Sequence, residues 1–161
     1  MKYKVDLGLN NLNVLVTGAS GGIGKEIAIK MALCGANVYL HYNQSIREAE
    51  SSINYIKNAG GSCRLIHADF NSTNDISNMF DKLENENVSI DILINNAGII
   101  SEGYSIGVSE EQWERTVNVN LKAAFLCSKY VSRSMIRKKR GCIINITSTV
   151  TEKILPMQSA Y

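Results

Sequence analysis

The chain has 161 residues, of which 45% are hydrophobic and 20% are charged, and its formal net charge at pH 7 is +2. This composition indicates a globular protein with one well-buried core, and the charge is too small to favour nucleic acid or a membrane surface as a partner. The N-terminus lacks the apolar region of a signal peptide, and no apolar run approaches the roughly 18 residues of a membrane span.

Four cysteines are scattered beside apolar stretches, and their spacing matches no metal site. We expect them to be buried, reduced thiols, which together with the missing signal peptide predicts a cytoplasmic protein without a metal centre. They are Cys34, Cys63, Cys127 and Cys142.

The first predicted element is a buried strand from Asn13 to Thr17, which runs into a glycine-rich turn and then a helix from about Gly22. Such a turn directs unpaired N–H groups and the positive end of the helix dipole towards a bound phosphate. A tight strand-to-helix connection without a ligand is the alternative at this point. The glycines of the turn are Gly18, Gly21, Gly22 and Gly24.

The rest of the chain alternates strands with helices. Strands are predicted at 37–42, 63–67, 89–95 and 142–147, and the first helix ends at Gly35. Further helices are predicted at 46–60, around 76–83 and at 110–138, the last one capped by Ser109 with Gln112. The alternation predicts one Rossmann-like α/β domain over 1–161. We expect a three-layer αβα sandwich whose parallel sheet has the strand order 3-2-1-4-5.

Polar residues follow the predicted strands at their carboxyl ends, where a ligand of such a sheet binds at the switch between strands 1 and 4. Asp69 has an alternative role as the cap of the third helix. These residues are Thr17, Asn43, Asp69, Asn95, Asn96 and Ser148.

Several motifs resemble the short-chain dehydrogenase/reductase family over essentially the whole chain. Thr17 to Gly24 looks like the family's T-G-x-x-x-G-x-G turn, and Asn95 to Gly98 matches its N-N-A-G motif. Asn120 is similar to the asparagine of the family's long helix. Ser148 and Tyr161 stand 13 positions apart, like the catalytic serine and tyrosine. The general pattern resembles 3-oxoacyl-(acyl-carrier-protein) reductases.

The resemblance implies an oxidoreductase that transfers hydride between a nicotinamide cofactor and a small carbonyl or alcohol substrate, an acyl thioester among the candidates. In that role Tyr161 protonates the carbonyl oxygen, Ser148 hydrogen-bonds it, and Asn120 holds a water through a distortion of the long helix. Without the other motifs, Ser148 would simply end a strand, Tyr161 would be a surface tyrosine and Asn120 would face solvent. The cofactor-binding residues implied are Thr17, Gly18, Ser20, Gly21, Gly22, Ile23, Gly24, Asn43, Ser45, Asp69, Phe70, Asn96, Ala97 and Gly98.

The residues after the second strand favour NADP(H) over NAD(H). No acid occurs there before Glu48, so a 2′-phosphate meets no repulsion, and Asn43, Ser45 or Arg47 can donate hydrogen bonds to it. Against this preference, Gly21 stands where many NADP-dependent relatives carry arginine or lysine.

The family also has a lysine one helical turn after its tyrosine, and the sequence stops at Tyr161. We therefore expect a domain that is incomplete at its C-terminus, from a full-length form that is a homo-oligomer. Strand five would then be an open apolar edge, and Val131 and Met135 would lose their cover. The alternative is a non-catalytic nucleotide-binding remnant, or a partner-dependent fragment without the catalytic lysine.

Overall fold

The computed structural model describes residues 7–151 and 156–161, and these contain a parallel sheet of five strands. The strands are β1 Asn13–Val16, β2 Asn37–Tyr42, β3 Ser62–His67, β4 Ile92–Asn95 and β5 Cys142–Asn145. They lie in the order β3-β2-β1-β4-β5, and every neighbouring pair is parallel. The predicted fold class and strand order are confirmed.

The helices cover both faces of the sheet. They are α1 Gly22–Leu33, α2 Ile46–Asn58, α3 Thr73–Asn85, α4 Glu110–Val117 and α5 Ala123–Lys138, with a π-helical segment at Asn118–Lys122 that joins the last two. Short 3-10 turns lie at Ser105–Gly107 and Thr149–Thr151. The Ser109 side chain and Gln112 form the predicted capping box at the start of α4. No helix among the described residues is both long enough and apolar enough to cross a membrane.

Two hydrophobic cores result, one on each side of the sheet. Side chains alternate across a strand, so Leu15 of β1 joins the core under α3 and α5, whereas Val14 and Val16 join the core under α1 and α2. All three are fully buried, which explains why β1 reads as a continuous apolar run rather than as an alternating one.

Three strands are shorter than predicted. β1 ends at Val16 instead of Thr17, and β4 begins at Ile92 instead of Ser89. Before β4, the Asn13 side-chain amide donates to the Ser89 carbonyl and the Asn13 N–H donates to the Asp91 carboxylate, while the Asp91 N–H donates to the Asn13 carbonyl at 2.8 Å. β5 ends at Asn145, two residues earlier than predicted.

The burial of α5 contradicts the expectation that Val131 and Met135 lose their cover. They are 3% and 8% exposed because α5 turns both side chains into the core that it shares with α3. The open edge itself is present, since every residue of β5 is exposed. For the same reason Cys142 is exposed. Cys34 is only partly buried, so the prediction that all four thiols are buried holds only for Cys63 and Cys127.

Two basic residues at the end of α5 pair with a buried carboxylate. Lys138 lies 2.9 Å from the carboxylate of Asp91, and Arg140 lies 3.8 Å from it. Asp91 is 8% exposed and also accepts the Asn13 N–H at 3.0 Å. This carboxylate therefore ties the end of α5 to the starts of β1 and β4.

Candidate active site

The glycine turn after β1 is held against the end of β4. Thr17 is buried, and its hydroxyl donates to the Ile94 carbonyl at 3.3 Å while accepting the N–H groups of Asn96 and Ala97 at 2.9 and 3.0 Å. The Asn96 amide donates in return to the Thr17 carbonyl at 3.0 Å. The two motifs that the sequence analysis singled out separately are therefore each other's partners.

Gly18 lies at the tightest point of this contact. It has φ +61°, and a Cβ added to it would lie 2.7 Å from the Ala97 Cα. Its carbonyl accepts from the Asn96 amide at 3.1 Å. Because a side chain would strain the backbone and collide with Ala97, only glycine fits this position.

The other glycines of the turn differ in what surrounds them. A Cβ on Gly24 would lie 2.6 Å from the Gly18 carbonyl oxygen and would also meet the Asn96 amide. A Cβ on Gly21 or Gly22 would meet nothing within 4 Å among the described residues. Gly21 is the N-cap of α1, and no side-chain cap bond is made to the first N–H groups of the helix. This is the geometry that receives a phosphate group.

Replacing Gly24 by alanine is expected to lower the free energy of unfolding by about 2 kcal/mol, because the new methyl group is forced against the Gly18 backbone. The matched control is Gly21→Ala, whose extended backbone and open surroundings predict a change within about 0.5 kcal/mol. Urea denaturation of both variants measures the difference. Equal stability of the two would contradict the close packing at Gly24.

His41, near the end of β2, contacts the glycine turn through its side chain. Its Nδ1 accepts the Gly18 N–H at 3.0 Å, and its Nε2 lies 3.0 Å from the Ala68 carbonyl, to which it donates. The ring stacks on Phe70 with the centroids 4.0 Å apart. Burial lowers the pKa of His41 to about 4, so the ring is neutral at pH 7.

A cleft of about 470 Å³ extends from the turn to the ends of β2 and β3. There the Asn43 amide donates to the Asp69 carboxylate at 3.1 Å, and the Asn71 N–H donates to the same oxygen at 2.9 Å. The cap of α3 is Ser72, whose hydroxyl accepts the Asp75 N–H. The alternative role of Asp69 as the helix cap is therefore wrong, and its side chain lies on the cleft wall instead.

The long helix is distorted at the asparagine that the resemblance indicated. Asn120 lies in the π-helical segment, where one extra residue per turn widens the backbone. Its side chain forms two hydrogen bonds with the Ile99 backbone: it donates to the carbonyl at 2.9 Å and accepts from the N–H at 2.8 Å. Asn120 therefore does not simply face solvent, and it fixes the loop that follows the N-N-A-G motif.

A second cavity, of about 850 Å³, adjoins the first and opens beside β5. Asn120, Ser148 and Tyr161, which are separated in the sequence, all line this cavity. The chain segment before Tyr161 is anchored by the Met157 carbonyl, which accepts the Gly103 N–H at 2.6 Å. The segment between Ser148 and Tyr161 is described only in part, because residues 152–155 lie outside the described ranges.

Most of the implied site residues line one of these two cavities. Asn96, Ala97 and Gly98 line both, whereas Thr17, Gly22 and Gly24 line neither. Ile23 lines the second cavity and not the cleft. Those lining the cleft are Gly18, Ser20, Gly21, Asn43, Ser45, Asp69, Phe70, Asn96, Ala97 and Gly98.

The sequence analysis missed several residues of the cleft. A signal existed for His41, which interrupts an otherwise apolar strand two residues before Asn43. Nothing in the local sequence distinguishes Arg115 and Val119, which reach the cleft from the long helix one helical turn apart. Gln44 and Ile99 complete this group.

Comparison with known proteins agrees with this geometry. A family model described as short chain dehydrogenase matches residues 12–161. The chain belongs to this family. A 3-oxoacyl-(acyl-carrier-protein) reductase of Staphylococcus epidermidis is 36% identical over 151 residues, covering 94% of this chain and 62% of that protein. A short-chain type dehydrogenase/reductase of Picea abies is 37% identical, with 91% and 57% covered.

The solved structures of the family include a metagenomic short-chain oxidoreductase in complex with NADP. It superposes with a TM-score of 0.90 at 31% identity, over 95% of this chain and 69% of that one. The chain thus spans about three fifths of the length of the curated relatives named above, 62% and 57%.

Proposed function

We propose that the protein is an NADP(H)-dependent oxidoreductase that interconverts a carbonyl and an alcohol, with 3-oxoacyl thioesters as the substrate class. One observation carries the proposal. The Asn96–Gly98 segment is shared by a cleft behind the glycine turn and by the cavity of Ser148 and Tyr161. A cofactor in the cleft would therefore reach the polar groups that the family uses for catalysis. The reductase of Staphylococcus epidermidis supports the substrate class.

The residues present fit a dinucleotide. Gly21 and Gly22 leave the start of α1 open for a pyrophosphate, and Asn43 and Ser45 line the far end of the cleft. Asp69 is the acidic side chain on the cleft wall, and two hydrogen bonds to one of its oxygens reduce its repulsion of a 2′-phosphate. Arg115 adds a positive charge to the same wall. These features support NADP(H) as the preferred cofactor.

The chemistry divides among three side chains. When bound, the reduced nicotinamide supplies the hydride to the carbonyl carbon. Tyr161 gives its hydroxyl proton to the carbonyl oxygen, so that an alcohol forms, and Ser148 donates a hydrogen bond to the same oxygen. Asn120 holds the Ile99 backbone through its side chain and so fixes the wall between the two cavities.

Titration of the chain with NADPH tests the proposal, and two variants at one position sharpen it. Gly21→Gln and Gly21→Glu have nearly the same bulk, and a Cβ at Gly21 would meet nothing within 4 Å among the described residues. We expect the glutamate to bind NADPH at least tenfold more weakly than the glutamine, because its charge lies beside the cofactor's phosphates. The dissociation constants follow from NADPH fluorescence at low salt. Equal affinities would refute a phosphate at this turn.

A second candidate is nucleotide binding without turnover by the 161-residue chain. It is favoured by the exposure of β5, beside which the cavity of Ser148 and Tyr161 opens. Mixing the chain with NADPH and a β-keto ester separates the two candidates. Negligible oxidation of bound NADPH supports binding alone, and a clear rate supports the reductase.

The full-length protein is further proposed to be a homo-oligomer. The long helix supports this proposal because it exposes the large apolar side chains of Trp113 and Ile136, which line neither cavity.

A further inference from the structure

The Thr17–Gly18 peptide unit, which starts the glycine turn, is fixed by two side chains at the ends of β2 and β4. Its N–H, of Gly18, donates to His41 Nδ1 at 3.0 Å, and its carbonyl, of Thr17, accepts from the Asn96 amide at 3.0 Å. The next N–H group, of Ala19, donates to the His41 carbonyl at 2.8 Å. The direction of the following peptides, which face the cleft, depends on this first one.

His41 can play this part because its surroundings leave it one tautomer. The Ala68 carbonyl only accepts, so Nε2 must carry the hydrogen, and Nδ1 keeps the lone pair that Gly18 needs. The ring is 2% exposed and stacks on Phe70, which prevents it from turning over. Burial lowers the pKa of His41 to about 4; the nearby charges are His67, which lowers this pKa, and Asp69, which raises it.

We propose that His41 is a positioning residue for cofactor binding, because its Nδ1 atom holds the Gly18 peptide in the orientation in which the turn receives phosphate. The inference rests on the proposed function and assigns a role to a residue outside the family motifs. The proposal gives the two ring nitrogens different roles. A purely structural histidine would depend equally on the bond to Ala68 and on the stacking with Phe70, whereas a positioning residue depends on Nδ1.

Two amide variants separate the two nitrogens. In His41→Asn the side-chain oxygen can take the place of Nδ1 and accept the Gly18 N–H. In His41→Gln the longer side chain places its NH2 group where Nε2 donates to Ala68. Each variant keeps one bond of the pair and loses the other, so the two serve as matched controls for stability.

We expect His41→Asn to bind NADPH within about threefold of the wild-type chain and His41→Gln to bind at least tenfold more weakly, measured by fluorescence titration at pH 7.5. Thermal melts establish that both variants are folded at the temperature used. Equal affinity of the two variants, or weaker binding by His41→Asn, would overturn the proposal.

Hydrogen exchange tests the same idea without a cofactor. The Gly18 amide is expected to exchange slowly in the wild-type chain and in His41→Asn and to exchange faster in His41→Gln, whereas equal exchange in both variants would overturn the proposal. If the wild-type chain binds no NADPH, the proposed function fails, while this measurement still decides whether His41 Nδ1 holds the Gly18 peptide. The nitrogen-15 spectrum of the wild-type chain at pH 7 should show an unprotonated Nδ1. A protonated Nδ1 would overturn the proposal whatever the variants do.

Discussion

Lowering the pH from 6.5 to 4 is expected to reduce the free energy of unfolding by about 3 kcal/mol through His41. In the unfolded chain this histidine takes up its proton near pH 6.5. In the folded chain burial lowers its pKa to about 4, so the unfolded state binds more protons throughout this window. Stability is therefore unaffected by His41 above pH 6.5, falls as the pH drops, and reaches its full loss below pH 4.

Urea denaturation at a series of pH values measures this effect, and His41→Asn is the control. The variant has no titrating group at the position, so its stability should fall less steeply between pH 6.5 and 4. The lower edge of the window also includes the carboxyl of Asp75, whose pKa is lowered by the Asp69 N–H and the Ser72 hydroxyl. Both proteins share that contribution, and only the difference between them reports on His41. Parallel curves would show that folding does not lower the pKa of His41.

Replacing Asp91 by alanine is expected to lower the free energy of unfolding by about 3 kcal/mol. The carboxylate is 8% exposed, pairs with Lys138 at 2.9 Å and accepts the Asn13 N–H at 3.0 Å. Alanine leaves this N–H without its acceptor and the lysine beside it without a counter-charge. The consequence is a loosened junction between α5, β1 and β4, measured by urea denaturation at pH 7.

The contrasting substitution is Glu86→Gln, which removes the ion pair with Arg64. Those two side chains are 41% and 69% exposed and lie 3.5 Å apart, so solvent screens them and we expect a change below about 0.5 kcal/mol. A loss at Glu86 as large as that at Asp91 would show that charge alone, rather than burial and the bond to the Asn13 backbone, decides the effect.

Much of the fold could be predicted because its signals are local. The spacing of apolar residues marks β2, which the structure reproduces at Asn37–Tyr42, and the capping box at Ser109 marks the start of α4. The prediction failed where a distant contact replaced a local rule. The sequence before β4 does not reveal that Ser89 and Asp91 bond to Asn13 of β1, and α5 buries Met135 because α3 lies beside it.

The candidate site divides in the same way. The sequence alone reveals the glycines, the N-N-A-G motif and the spacing of Ser148 and Tyr161. The glycine turn can be recognised because a phosphate-binding turn consists of consecutive residues. The roles of those residues as cofactor or catalytic groups remain predictions. The arrangement that joins them depends on pairs far apart in the chain, such as the bond between Thr17 and Asn96, which are 79 positions apart.

By itself, the sequence determined the family, the order of the strands and the place of the glycine turn, since these follow from periodicity and from short motifs. Only the tertiary structure decided that Thr17 faces the strand behind the turn instead of the cleft, and that His41 holds the Gly18 peptide. The physical reason is that hydrogen-bond direction and burial are properties of packed surfaces. The two partners of such a hydrogen bond lie in separate segments of the chain, so neither segment alone predicts it.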